Sequence, residues 1–232
     1  MKKFSFERFG QRALHALRRS ASLLVVLVLW ELLVRVGALD YRFFPAPTSV
    51  IETLVKLVAT GEMPADIAIS LQRVLMGFAL GTILGLVLGL AAGWFKVVET
   101  VVEPLIAVFY PIPKLALLPL ILILFGIGEA SKVAIVTIAV FFTVVISTTA
   151  AVRGIEPVLL DAAHNYGAKG WRLFTHIILP AAMPEIFTGI RLAMGTSLIV
   201  IVAAEFVASN QGLGHRIWLS WGTLSTRDMY AG

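Results

Sequence analysis

Polar side chains stop interrupting apolar ones for about 20 residues at a time along much of this chain, the length at which a helix rising about 1.5 Å per residue crosses a hydrocarbon layer. Such runs occupy residues 20–37, 70–93, 101–125, 132–152 and 187–208. The pattern predicts an all-α membrane protein, a polytopic helical bundle with five spans forming one domain over residues 20–232, preceded by a polar segment over 1–19. Within the second run glycine recurs every four residues, at Gly77, Gly81, Gly85, Gly89 and Gly93. A stripe of this kind lets a neighbouring backbone approach closely, so helix packing is its expected role, and self-pairing of the subunit is one way to supply the neighbour. The third run contains Pro104, Pro111, Pro113 and Pro119. Each proline deletes a helical hydrogen bond, which predicts a bent or partly unwound span lying against protein or a water-filled cavity.

Composition agrees with lipid as the solvent. Hydrophobic residues make up 59% of the 232 residues and charged ones 14%, more apolar surface than one soluble core hides, and far too apolar for disorder. The net charge of +5 does not point to nucleic acid, because six basic residues, Lys2, Lys3, Arg8, Arg12, Arg18 and Arg19, gather ahead of the first run rather than in an aromatic-interleaved patch. That cluster places the N-terminus in the cytoplasm. Alternation then puts 38–69 outside, 94–100 inside, 126–131 outside, 153–186 inside and 209 onward outside. A cleaved secretory signal ending near Val36, Gly37 and Ala38 is the alternative reading of the first run. An odd number of spans leaves the C-terminus outside, and Tyr230, Ala231 and Gly232 form no polar tail, so a sixth helix is expected beyond Gly232. Cysteine is absent, which removes disulfide and thiolate chemistry.

The long inner segment, 153–186, carries the most information. Pro157 suits a first helical turn, and Leu159, Ala162, Ala163 and Tyr166 fall at i, i+3, i+4 and i+7 on one face. Gly167 stands where a left-handed cap would end that helix. A second short stripe, Leu173, Phe174 and Ile177, precedes an expected break at Pro180, and Pro184 is placed to start the fifth span. The prediction is a helix-turn-helix, which could rest on the membrane surface or enter a groove on a partner.

Spacing separates these two readings. The coupling-loop signature of binding-protein-dependent ABC permeases runs Glu-Ala-Ala, three residues, Gly, nine residues, Ile, one residue, Leu-Pro. This sequence resembles it at Ala162, Ala163, Gly167, Ile177, Leu179 and Pro180, with Asp161 in place of the glutamate. Further stretches resemble the nitrate/sulfonate/taurine branch: Phe44-Pro45-Ala46-Pro47, the run from Ser70 to Arg73, Leu115 to Leu120, Phe125 to Lys132, and Ala204-Glu205. The resemblance implies a permease of about six spans in the bacterial inner membrane, usually a homodimer. It implies two cytosolic ATPase subunits holding ATP and Mg, an external solute-binding protein, and a small anion such as nitrate, a sulfonate or taurine as solute. Asp161, Ala162, Ala163, Tyr166, Gly167, Ile177, Leu179 and Pro180 become the expected ATPase-coupling residues, with Ala162 and Ala163 seated against the ATPase.

No phosphate-binding loop of the G-x-x-x-x-G-K-[ST] type is present, so the nucleotide of such a transporter is expected on another chain, and this chain is expected to be no enzyme. His15, His164, His176 and His215 lack metal-ligand spacing. Charges inside apolar runs are costly and call for partners or a function. Glu31 and Arg35, four apart, predict a neutralising pair, whereas Lys114 and Glu205 have no partner nearby in sequence and are candidates for the translocation pathway. A secondary transporter or channel, needing no ATPase, is the competing function.

Overall fold

The computed structural model describes Ser22 and residues 24–232. The basic segment 1–19 and the start of the first apolar run lie outside the described residues. Two compact units are present, one made of the described residues up to Pro64 with Arg216–Gly232, the other of Ala65–His215.

In the first unit, α1 (residues 24–35) ends in a turn at Gly37, whose φ of 76° no β-carbon favours. The expected pair forms: Arg35 Nε donates to Glu31 at 2.7 Å. Glu31 also accepts from the backbone N–H of Thr48 at 3.1 Å and from its hydroxyl at 2.9 Å, which ties α1 to the first turn of α2 (Pro47–Ala59). The segment 38–69, expected as an external connection, is therefore largely helical. Pro47 starts α2 because the first helical turn has no N–H partner to lose.

Three helices among the described residues are long and apolar enough to cross a membrane: α3 (Glu62–Trp94), α6 (Glu129–Arg153) and α8 (Gly170–Ala208). Between α3 and α6, α4 (Lys96–Phe109) and the pair formed by a 3-10 turn (Lys114–Leu117) and α5 (Leu118–Phe125) pass the same test together but meet at 90°. This is the bend predicted from the prolines. Pro111 and Pro113 cannot donate to the carbonyls of α4, and Pro119 falls in the first turn of α5, where the missing donor costs nothing.

α6 is the central element. Ile135, Val136, Val140 and Val144 are buried in one cluster with Val74 of α3, Leu118 and Ile121 of α5, and Ala193, Ile201 and Ala204 of α8. Glycine makes this possible on both sides. A β-carbon on Gly77 would lie 2.6 Å from Val136 Cβ, on Gly85 2.8 Å from Val144 Cβ, on Gly89 2.7 Å from Thr148 Cβ and on Gly93 2.6 Å from Val152 Cβ. The four-residue stripe of α3 thus receives a four-residue ridge of α6. On the other flank, Gly189 of α8 faces Ser147 at equally close quarters. The stripe does pack helices, but its partner is in the same chain, so it does not supply the self-pairing surface anticipated from the sequence.

The inner connection differs from expectation. α7 (Pro157–Asn165) forms as predicted, but the second stripe is no separate helix: a π turn (Phe174–Ile178) joins the first residues of α8 to the long remainder without a break at Pro180. Here the N–H of Leu179 donates to the carbonyl of Phe174, five residues back. The wider turn leaves room for the Pro180 ring against the preceding turn, which an α-helical register denies it. Apolar side chains such as Ile83, Val87, Ile123, Leu124, Ile199 and Val207 are exposed along these helices, a surface that only lipid or protein solvates.

Gly85→Leu should drive a side chain into Val144 and destabilise the α3–α6 pair by about 1–3 kcal/mol. Thermal unfolding of the detergent-solubilised chain measures it; an unchanged midpoint would mean that the stripe tolerates a larger separation.

Candidate functional site

Two regions, one apolar and one charged, lie at opposite ends of α6. At its C-terminal end, Ala151 and Val152 are buried with Ala163 of α7 and with Leu173, Phe174, Ile178, Ala182 and Ile186 of α8. α7 ends as its sequence predicts: Gly167 has φ 82°, its N–H donates to the His164 carbonyl at 2.9 Å, and the N–H of Ala168 donates to the Ala163 carbonyl at 2.9 Å. This double bond pattern closes the helix and turns the chain back towards α8.

The predicted face of α7 is divided by the fold. Ala163 is 6% exposed and packs inward against Val152, Leu173 and Phe174, so it does not sit on the outer surface as expected. Leu159, Asp161 and Ala162 are exposed, and Tyr166 is 93% exposed. Ile177 is half-buried against the same inner cluster, Leu179 is half-buried and Pro180 is exposed within α8. Trp171 stacks on Phe174 with ring centroids 5.3 Å apart and leaves its own outer face open. Short and closed at its C-terminal end by the Gly167 turn, α7 packs through Ala163 and leaves Leu159 and Ala162 exposed.

At the other end of α6 lies a cluster of which the sequence singled out Glu205 but not the charged residues around it. Arg73 of α3 is 3% exposed and bridges two carboxylates. Its Nη1 donates to Glu205 of α8 at 2.6 Å, to the Gln211 carbonyl at 2.9 Å and to Ser209 Oγ at 3.1 Å. Its Nε and Nη2 form a two-point fork on Glu129 of α6, both at 2.6 Å, and Lys132 reaches the same carboxylate at 3.0 Å. Glu205 has no exposed surface; it also accepts from Ser70 Oγ and, at 2.9 Å, from the N–H of Gly214. The N–H groups of Gly212 and Leu213 go to Asp66 and to Ser70 Oγ, each at 2.9 Å. Three consecutive backbone donors are thereby fixed, and Gly212, with φ 108°, leaves the space that a β-carbon would take from the Glu205 carboxylate 2.6 Å away. Arg73 and Lys132 are thus the cations set against Glu129 and Glu205, while Asp66 holds the neighbouring N–H of Gly212.

Glu205 and Lys114, the two candidates for the translocation pathway, are placed differently from each other: the partner of Glu205 comes from a distant part of the chain, and that of Lys114 is local backbone. Glu205 is enclosed and does not line an open route. Lys114 donates to the Tyr110 carbonyl and, at 3.1 Å, to that of Ile112, and it lies 4.8 Å from the Tyr110 ring centroid and 5.1 Å from that of Phe142. It caps carbonyls released at the end of α4 where the prolines stop the helix. Arg73 was visible in the sequence only inside a stretch of family resemblance. The available signal was that an enclosed glutamate in one span demands a cation from another, and Arg73 borders the second run. Among the described residues no group of histidines and carboxylates is arranged to hold a metal ion.

Glu205→Gln removes one half of a buried, hydrogen-bonded ion pair, and stability should fall by about 3–5 kcal/mol. A lowered unfolding midpoint in detergent reports it, and the drop should exceed that of Glu62→Gln, whose partner Arg216 is met at 3.2 Å near the surface.

Residues 81–227 match the family described as the binding-protein-dependent transport system inner membrane component. The chain is 38% identical to the putative aliphatic sulfonates transport permease protein SsuC of Escherichia coli K12, over 82% of this chain and 72% of that protein. It is 34% identical to the taurine transport system permease protein TauC of the same organism, over 91% and 78%, and 32% identical to the riboflavin transport system permease protein RibX of Chloroflexus aurantiacus, over 91% and 79%. With its long apolar helices and a match of this extent, the chain belongs to the inner membrane component family of binding-protein-dependent transport systems, as a multi-pass, non-enzymatic ABC transporter permease of the sulfonate/taurine-type branch.

Proposed function

We propose that this chain forms the translocation pathway of an ATP-driven importer in the bacterial inner membrane, with its N-terminus cytoplasmic, and that it takes the work of hydrolysis through α7. The observation that carries this reading is the exposed face of α7, Leu159 and Ala162 with Tyr166 at its C-cap, in a loop whose spacing resembles that of ABC coupling loops with Asp161 in place of the glutamate. A helix closed by the Gly167 turn and packed through Ala163 into the apolar cluster of Val152 and Phe174 is placed to pass a push to α6 and α8. ATP and Mg sit on two cytosolic partner chains, a second copy of the permease completes the pathway, and an external binding protein delivers the solute. Relatives named for aliphatic sulfonates and taurine favour a small organic anion, while another relative is named for riboflavin transport.

Ala162→Trp should weaken ATPase docking about five- to a hundredfold, the equivalent of overpacking an interface by about 1–3 kcal/mol, without lowering the stability of the permease itself. Ala163→Trp should do the reverse, lowering the unfolding midpoint first, because its side chain points into the chain. Gly167→Val should strain the turn by about 1 kcal/mol or more and uncouple hydrolysis from uptake. Co-purification of the ATPase and solute-stimulated hydrolysis in vesicles check Ala162→Trp and Gly167→Val, thermal unfolding in detergent checks Ala163→Trp, and wild-type docking and uptake in both Ala162→Trp and Gly167→Val would remove α7 as the coupling element.

A further inference from the structure

The fork of Arg73 on Glu129 opens into a cavity of about 640 Å³ beside the first turns of α6. Met76, Leu80, Phe125, Val133 and Ile138 supply its walls. Of the polar lining residues, Thr137 donates to the Val133 carbonyl at 2.8 Å, and Gln72 lies against Met76. The cavity is thus an apolar chamber with a guanidinium at its edge.

The two sides of that guanidinium are held very differently. Nη1 is locked by Glu205, Ser209 and Gln211, and Glu205 is fully buried. Nε and Nη2 are turned towards Glu129, whose side chain is 64% exposed and which stands in the first turn of α6. Glu129 can rotate into solvent at the cost of the fork and of its ion pair with Lys132, whereas Glu205 cannot move without leaving a charge in apolar surroundings. The locked side keeps Arg73 in position while the fork is open. Lys132, 5% exposed, stays beside it as a second cation.

We propose that Nε and Nη2 of Arg73 form an anion-exchange site, in which an oxyanion bearing a short apolar tail displaces the carboxylate of Glu129. Two sulfonate oxygens accept the same pair of N–H donors that the carboxylate accepts, since the planar fork of arginine matches both geometries. The tail enters the chamber walled by Met76, Leu80 and Phe125. Charge is conserved in the exchange: one anion leaves the fork for water and one arrives. The inference rests on the importer reading, and it identifies the solute class recognised inside the permease as an amphiphilic mono-anion.

The test is equilibrium binding of radiolabelled butanesulfonate to the permease–ATPase complex without the binding protein. Affinity should rise about three- to fourfold per methylene from ethanesulfonate to butanesulfonate as the tail is buried. Glu129→Gln should tighten binding about three- to tenfold, because it removes the internal competitor that holds the fork occupied. Arg73→Gln should abolish binding; should that variant fail to fold, Glu129→Gln at an exposed position keeps the inference open to refutation, since a merely structural Glu129 predicts no gain. Unchanged or weaker binding in Glu129→Gln, or affinity indifferent to chain length, overturns the exchange site. Displacement of butanesulfonate by phosphatidylglycerol but not by unlabelled ethanesulfonate would give the fork to a lipid headgroup and overturn the solute assignment. A complex that couples ATP hydrolysis to uptake yet shows none of these sulfonate effects refutes this site alone, whereas failure to assemble with an ATPase refutes the reading beneath it.

Discussion

A carboxylate with no exposed surface, in a helix bordered by apolar side chains, must have its charge answered by the protein, and Glu205 has it answered by Arg73 at 2.6 Å. Much of the second unit is arranged around that requirement. Arg73 comes from α3, Glu205 from α8 and Glu129 from α6, so one guanidinium fixes three long helices to each other at one end. The segment between α8 and α9 (Leu213–Gly222) is drawn into the same set, because the N–H groups of Gly212, Leu213 and Gly214 are spent on Asp66, Ser70 and Glu205. Buried charge of this kind is weak evidence of net stability, but it is demanding about position, since any other arrangement leaves an ion unpaired.

Close packing along α6 carries that fixed geometry to the opposite end. Valine and threonine ridges of α6 fill the glycine stripe of α3, and Gly189 of α8 meets Ser147 on the other flank. Helices in lipid gain little from burying apolar surface against one another, so close backbone approach and its van der Waals contact hold the three together. At the far end Val152 meets Ala163, whose helix bears the exposed Tyr166. The same α6 helix therefore touches α7 through its last turn and the ion cluster through its first.

Proline has three distinct outcomes here, each set by its surroundings. Pro47 and Pro119 sit in first turns, where the donor they lack has no acceptor waiting. Pro111 and Pro113 end α4 and turn the chain through 90°, and Lys114 caps carbonyls released at the corner. Pro180 and Pro184 do not interrupt the continuity of α8: the π turn before Pro180 absorbs the mismatch there, and Pro184 lies inside the helix.

Length, hydropathy and local periodicity by themselves determined the helical class, the long apolar helices, the bend at Pro111 and Pro113, the Glu31–Arg35 pair and the Gly167 turn, since each depends on residues within about one or two turns of one another. Tertiary structure alone decided which surface covers the glycine stripe, that Ala163 faces inward while Ala162 faces out, that Pro180 leaves α8 unbroken, and that Glu205 is answered by Arg73. Those outcomes depend on what lies across the interface, and Arg73 and Glu205 are joined by a helix-to-helix contact that no pattern along the chain records. A period states which residues share a face; only the packed neighbour states what that face meets.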